Sequence, residues 1–86
     1  MDDIREQFGK ILRQNRTSQG LTQEELAFRA GMSVPYLSDL ERGRWNPSLA
    51  VLIDLAGALN VHPSELLKDL VIVPDAKPPS RRRPEE

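Results

Sequence analysis

Eighty-six residues, 38% hydrophobic and 29% charged, suffice for one small soluble domain, because a second core would leave each half too little buried apolar surface to stand alone. That size excludes most enzyme folds, and with no cysteine and a single histidine, His62, no disulfide, thiolate nucleophile, metal cluster or catalytic triad is expected, and no cofactor. Twelve Lys and Arg against thirteen Asp and Glu leave a formal charge of −1, which excludes the basic average of a non-specific nucleic-acid binder.

In the first segment Ile4, Phe8, Ile11 and Leu12 recur at helical spacing, predicting a helix from about Asp3 to Thr17 that Gly20 ends through a left-handed turn. Thr22 followed by Glu25 is a capping box, so a second helix starts at Gln23, turns Leu26, Ala27 and Ala30 inward and stops at Gly31. Ser33 then caps a third helix with Pro35 in its first turn and Leu37 and Leu40 as its buried pair, closed by Gly43. Two short helices across a tight glycine turn are the sequence form of a helix-turn-helix. A fourth helix opens at Ser48, after Asn46 and Pro47, and shows a broad apolar face of Leu49, Leu52, Ile53, Leu55, Ala56 and Leu59. Asn60 ends it. His62 stands at an N-cap position ahead of Pro63 and Glu65, starting a short fifth helix through Leu66, Leu67 and Leu70.

These elements predict an all-α fold, a compact five-helix bundle over residues 1–70, followed by a Pro/Arg-rich tail over 71–86. The tail carries Pro74, Pro78, Pro79, Pro84 and Arg81 to Arg83 and cannot bury enough to order itself. Strand-like patterning is confined to Leu70 to Val73. The chain contains neither an apolar run long enough to span a bilayer nor a signal peptide, so a cytoplasmic protein without membrane contact is expected.

Six pieces stand in order: Leu21-Thr-Gln-Glu-Glu-Leu-Ala, Ala30-Gly, Tyr36-Leu-Ser-Asp-Leu-Glu-Arg-Gly43, Asn46-Pro-Ser-Leu, Leu55-Ala-x-Ala-Leu-Asn-Val and Pro63-Ser-Glu-Leu-Leu. Alone each is weak; together, over about residues 4 to 68, they resemble the Cro/C1-type helix-turn-helix family of phage repressors and bacterial regulators. The resemblance implies a lambda-repressor-like domain that binds double-stranded DNA, usually as a dimer. It also implies a backbone-clamping glutamine at Gln23, phosphate contacts at Arg44 and Asn46, and an ion pair between Arg16 and Glu41 that joins the ends of the first and third helices.

From the residues themselves, the third helix presents Val34, Pro35, Ser38 and Asp39, with Arg42 farther along, once Leu37 and Leu40 face inward. Val34 and Pro35 suit a thymine methyl; Asp39 either accepts from a cytosine amino group or pairs with a neighbouring basic side chain; Arg42 reaches guanine or phosphate. Gln23 and Tyr36 stand at helix N-termini, where backbone N–H groups favour phosphate; Tyr36 also reads as partly core. Trp45 lies along a DNA backbone or packs on the domain surface. Up to residue 74, eight basic side chains oppose ten acidic ones, so any DNA-facing charge must come from local placement of Arg42 and Arg44.

One recognition helix covers only a few base pairs, which calls for a homodimer on a palindromic operator. The apolar surplus for its interface is C-terminal, at Leu66, Leu70, Val71 and Val73, with Val71 to Val73 pairing as a strand; the alternative is that this segment folds back on its own core. The expected function is a sequence-specific transcriptional regulator, a repressor or controller without a small-molecule ligand. The alternative is an antitoxin or adaptor that uses the same fold to bind a protein.

Overall fold

Five side chains open the five helical segments of the computed structural model, which describes residues 3–72. Asp3 Oδ1 accepts the N–H of Glu6 at 3.0 Å and starts α1, Ile4–Ser18. Thr22 Oγ1 accepts from the Glu25 N–H at 3.0 Å while Glu25 Oε1 accepts from the Thr22 N–H at 2.9 Å, the reciprocal box that starts α2, Gln23–Ala30. The backbone N–H of Thr22 holds the Glu25 carboxyl below its ordinary range. Its contribution is therefore present above the ordinary carboxylate pKa and lost as pH falls through the depressed one. Ser33 and Ser48 cap α3, Val34–Glu41, and α4, Leu49–Leu59, in the same way. His62 Nδ1 accepts from the Ser64 N–H at 3.1 Å and opens a 3-10 helix, Pro63–Leu66.

The chain reverses between α2 and α3 through residues 31–33 alone. Gly31 makes this possible with φ 72°, a conformation that lets its N–H cap the carbonyls of Ala27 and Phe28. Asn60 does the same for α4 at φ 56°.

The core gathers Phe8, Ile11 and Leu12 from α1, Leu26, Ala27 and Ala30 from α2, Leu37 and Leu40 from α3, Leu52, Leu55, Ala56 and Leu59 from α4, with Leu21 and Leu66 from the connections. Its largest fully buried side chains are all leucines, and among the described residues no polar residue is fully buried. Among the described residues no helix is long and apolar enough to cross a membrane.

The structure corrects several expectations. The described part is all-helical, but it holds four α-helices, the fifth segment being the 3-10 helix. Leu66 is its one fully buried side chain, so a single tight turn suffices to seat it, and Leu67 is left half exposed. Leu66 thus belongs to the core and has no surface to offer a dimer partner. Leu49 and Ile53 remain 74% and 49% exposed, because the stripe of Leu52, Leu55, Ala56 and Leu59 already turns them to the flank of α4. Ile4 is also exposed, one turn before the first buried residue of α1. No strand occurs among the described residues; Val73 and the Pro/Arg tail lie outside them. Val71 and Ile72 expose their side chains. The backbone of Val71 is held by Gln7, whose Oε1 accepts from the Val71 N–H at 2.7 Å and whose Nε2 donates to its carbonyl at 3.4 Å.

Helices α1 and α3 meet backbone to backbone at Gly9. A Cβ there would stand 2.7 Å from the Leu40 carbonyl oxygen and closer still to that of Glu41, distances that no side chain can accommodate without moving α3. Gly57, in the middle of α4, faces open space. Urea unfolding should therefore separate the two: Gly9→Ala is expected to destabilise by about 2–3 kcal/mol, and Gly57→Ala to stabilise by about 0.5–1 kcal/mol.

Candidate nucleic-acid interface

With Leu37 and Leu40 fully buried, α3 keeps one long edge outward. Pro35 and Arg42 are exposed on it, while Val34, Ser38 and Asp39 are half covered. Val34 and Tyr36 pack partly against the core, so the tyrosine ring is divided between interior and surface. The residues after α3 carry Arg44, Trp45 and Asn46, all exposed. Asp39 and Arg44 are joined twice: the Arg44 N–H donates to the Asp39 carbonyl at 3.0 Å, and Arg44 Nη1 lies 3.4 Å from Asp39 Oδ1. Arg42 has no ion-pair partner among the described residues.

Below this edge lies a polar network. Arg16 Nε donates to Glu41 Oε2 at 2.6 Å, Arg16 Nη2 donates to Glu41 Oε1 at 3.0 Å, and Arg16 Nη1 donates to the carbonyl of Leu21 at 2.9 Å. The side chains are 11% and 4% exposed. This pair is buried, unlike the exposed ion pairs Arg5–Asp3 and Lys68–Glu65. The hydrogen bonds to Glu41 push the Arg16 guanidinium above its already high ordinary pKa, so the cation persists at every pH the fold meets. Arg16 reaches Glu41 because a helical side chain leans toward the N-terminus of its helix, and two turns back stands Gly9, against the backbone of α3 at Leu40 and Glu41.

Gln23, at the first position of α2, joins the same group: its Nε2 donates to Glu41 Oε1 at 3.0 Å. The sequence contains no sign of this link, since the two residues are 18 apart and belong to separate elements. One exposed feature also escapes sequence reasoning: Phe28, on the outer face of α2, is 87% exposed, while Trp45, left open between exposure and surface packing, is half exposed. Among the described residues no group of three His, Asp or Glu side chains could hold a metal ion.

A family model described as helix-turn-helix matches residues 12–66 of the chain. The HTH-type transcriptional regulator y4dJ of Sinorhizobium fredii is 48% identical over 65 residues, which cover 76% of this chain and 84% of that protein. The control protein C.BamHI of Bacillus amyloliquefaciens is 42% identical over 67 residues, 77% of this chain and 83% of that protein. Among solved structures, the restriction-modification controller protein C.AhdI from Aeromonas hydrophila superposes with a TM-score of 0.70 at 46% identity, over 71% of this chain and 92% of that one.

Removing the cation from the buried pair leaves the Glu41 carboxylate enclosed and short of two donors. Arg16→Ala is accordingly expected to cost about 3–5 kcal/mol in thermal or urea unfolding, whereas Lys68→Ala, which breaks an exposed pair, should change stability by less than about 1 kcal/mol. Equal and small losses in the two variants would contradict the structural role given to Arg16.

Proposed function

Because the chain belongs to the helix-turn-helix family of transcriptional regulators, we propose that it is a sequence-specific repressor or controller that binds a palindromic operator as a homodimer, with α3 in the major groove. The observation that carries this reading is the burial of Leu37 and Leu40 behind a turn of three residues. That arrangement leaves Val34, Pro35, Ser38, Asp39 and Arg42 on the edge that a groove would meet. Gln23 and Tyr36 stand at helix N-termini suited to phosphate, and Arg44 and Asn46 follow in the loop.

Asp39 takes a second role in this reading. Its contact with Arg44 shields the cation in the free protein, and Arg44 exchanges that carboxylate for a phosphate on binding. An acidic side chain beside the DNA backbone weakens binding to sequences that give it nothing to accept from. This suits a chain whose net charge is −1, because sequence-independent affinity comes almost wholly from neutralised phosphates.

The dimer in this proposal rests on the segment after the 3-10 helix, where Leu70 is half buried and Val71 exposed. Val71 has its N–H and carbonyl occupied by Gln7, so side chains rather than strand pairing must make the contact. The flank of α4 offers a second apolar stripe, Leu49 and Ile53.

DNA selection, affinity and mass in solution test this reading. Passing an unselected DNA library over the protein should recover a two-fold-symmetric site, bound with a log affinity against log salt slope of roughly −4 to −7 for the dimer. Asp39→Asn should raise affinity for random DNA a few-fold and narrow the margin over the selected site; no enrichment even at low salt would instead assign the fold to binding a protein. Mass in solution should fall by half when the chain is truncated after Leu70. A dimer that survives truncation but is lost in Ile53→Asp would move the interface to α4.

A further inference from the structure

We propose that Glu41 is a positioning residue for DNA binding: it orients the side-chain amide of Gln23, so that the buried ion pair sets the direction of a phosphate contact. The inference rests on the proposed role of Gln23 as a backbone clamp and adds what makes that role possible.

An ionised carboxylate only accepts hydrogen bonds, whereas a glutamine amide has two N–H donors at one end and an acceptor oxygen at the other. Arg16, which can only donate, gives Glu41 two hydrogen bonds, at 2.6 and 3.0 Å. Facing such a group, Gln23 must turn its nitrogen inward, and Nε2 does stand 3.0 Å from Glu41 Oε1. One of its two N–H bonds is thereby consumed. The other is left at the first position of α2, beside backbone N–H groups that have no partner within the helix. Donors of both kinds are thus gathered where an anion is favoured.

The same guanidinium sets the base of this arrangement. Arg16 Nη1 donates to the carbonyl of Leu21 at 2.9 Å, two residues before Gln23, so the backbone entering α2 and the side chain at its start are referred to one buried cation. Without Glu41 the amide would be free to rotate, and half of its orientations would show a phosphate an oxygen instead of a donor.

A double-mutant cycle read by DNA affinity tests this, with Glu41→Gln as the conservative change and all binding measured below the melting temperature of every variant. The probe is a mixed-sequence duplex of roughly three helical turns at low salt, since a phosphate contact does not depend on sequence. Gln23→Ala should weaken binding about tenfold or more, the size of one hydrogen bond to a charged group, Glu41→Gln should weaken it by a smaller factor, and the double variant should lose no more than Gln23→Ala alone. The direction is diagnostic: removing an acidic group tightens DNA binding if its effect is only electrostatic, while loss of a positioning residue weakens it. A further loss from Glu41→Gln when Gln23 is already alanine would overturn the proposal and leave the clamp standing. Full affinity in Gln23→Ala would overturn the clamp, and the proposal with it. A measurement on the unaltered chain covers the case in which Glu41→Gln does not fold. In the nitrogen-15 spectrum, one of the two Gln23 side-chain protons should exchange more slowly than those of exposed glutamines such as Gln14, and equal rates would refute the tether.

Discussion

One carboxylate holds this domain together. Glu41 ends α3, receives Arg16 from α1 and Gln23 from α2, and is almost entirely withdrawn from water. Burying a charge is tolerated only when its lone pairs are nearly all used, so the three helices are not free to shift independently. The close passage of α1 and α3 at Gly9 brings the guanidinium within reach, and the link from Arg16 to the Leu21 carbonyl carries the constraint to the start of α2. The outward edge of α3 stands on this foundation. Its orientation relative to the N-terminus of α2 follows from hydrogen bonds made at the other side of the helix.

What could be read in advance divides by distance along the chain. The caps at Thr22, Ser33 and Ser48, the stop at Gly31 and the resulting helix-turn-helix are patterns within a few residues, where local hydrogen bonding decides the outcome. Coverage is different in kind. Periodicity marks Leu49 and Ile53 as apolar but cannot say that nothing in the fold lies over them, and the same blindness assigned Leu66 to a surface when it fills the core. The 3-10 form of residues 63–66 depends on how little there was to bury. The neighbourhood of Arg16 and Glu41 followed from likeness to a family, not from spacing, and the attachment of Gln23 to that pair left no trace in either.

Electrostatics in this chain is a matter of arrangement. The cations beside α3 are few, and one of them, Arg44, is already engaged by Asp39. Other pairs, Arg5–Asp3 and Lys68–Glu65, occupy elements remote from that edge in sequence and are neutralised locally. A protein so balanced holds little attraction for a polyanion at long range and depends on short-range geometry once contact is made. If α3 enters the groove as proposed, rigidity in its support matters more here than it would for a strongly basic domain.

The uniformity of the core has a consequence for how the native arrangement is chosen. Leucines fill every large, fully buried position, and leucines exchange places with one another at small cost, so greasy packing alone discriminates weakly among neighbouring registers of the helices. Discrimination falls to contacts with no substitute partner: a glycine where two backbones touch and a carboxylate that only one guanidinium can satisfy. In this molecule cohesion and uniqueness come from different residues, and sequence drift within the leucines should alter the first long before it touches the second.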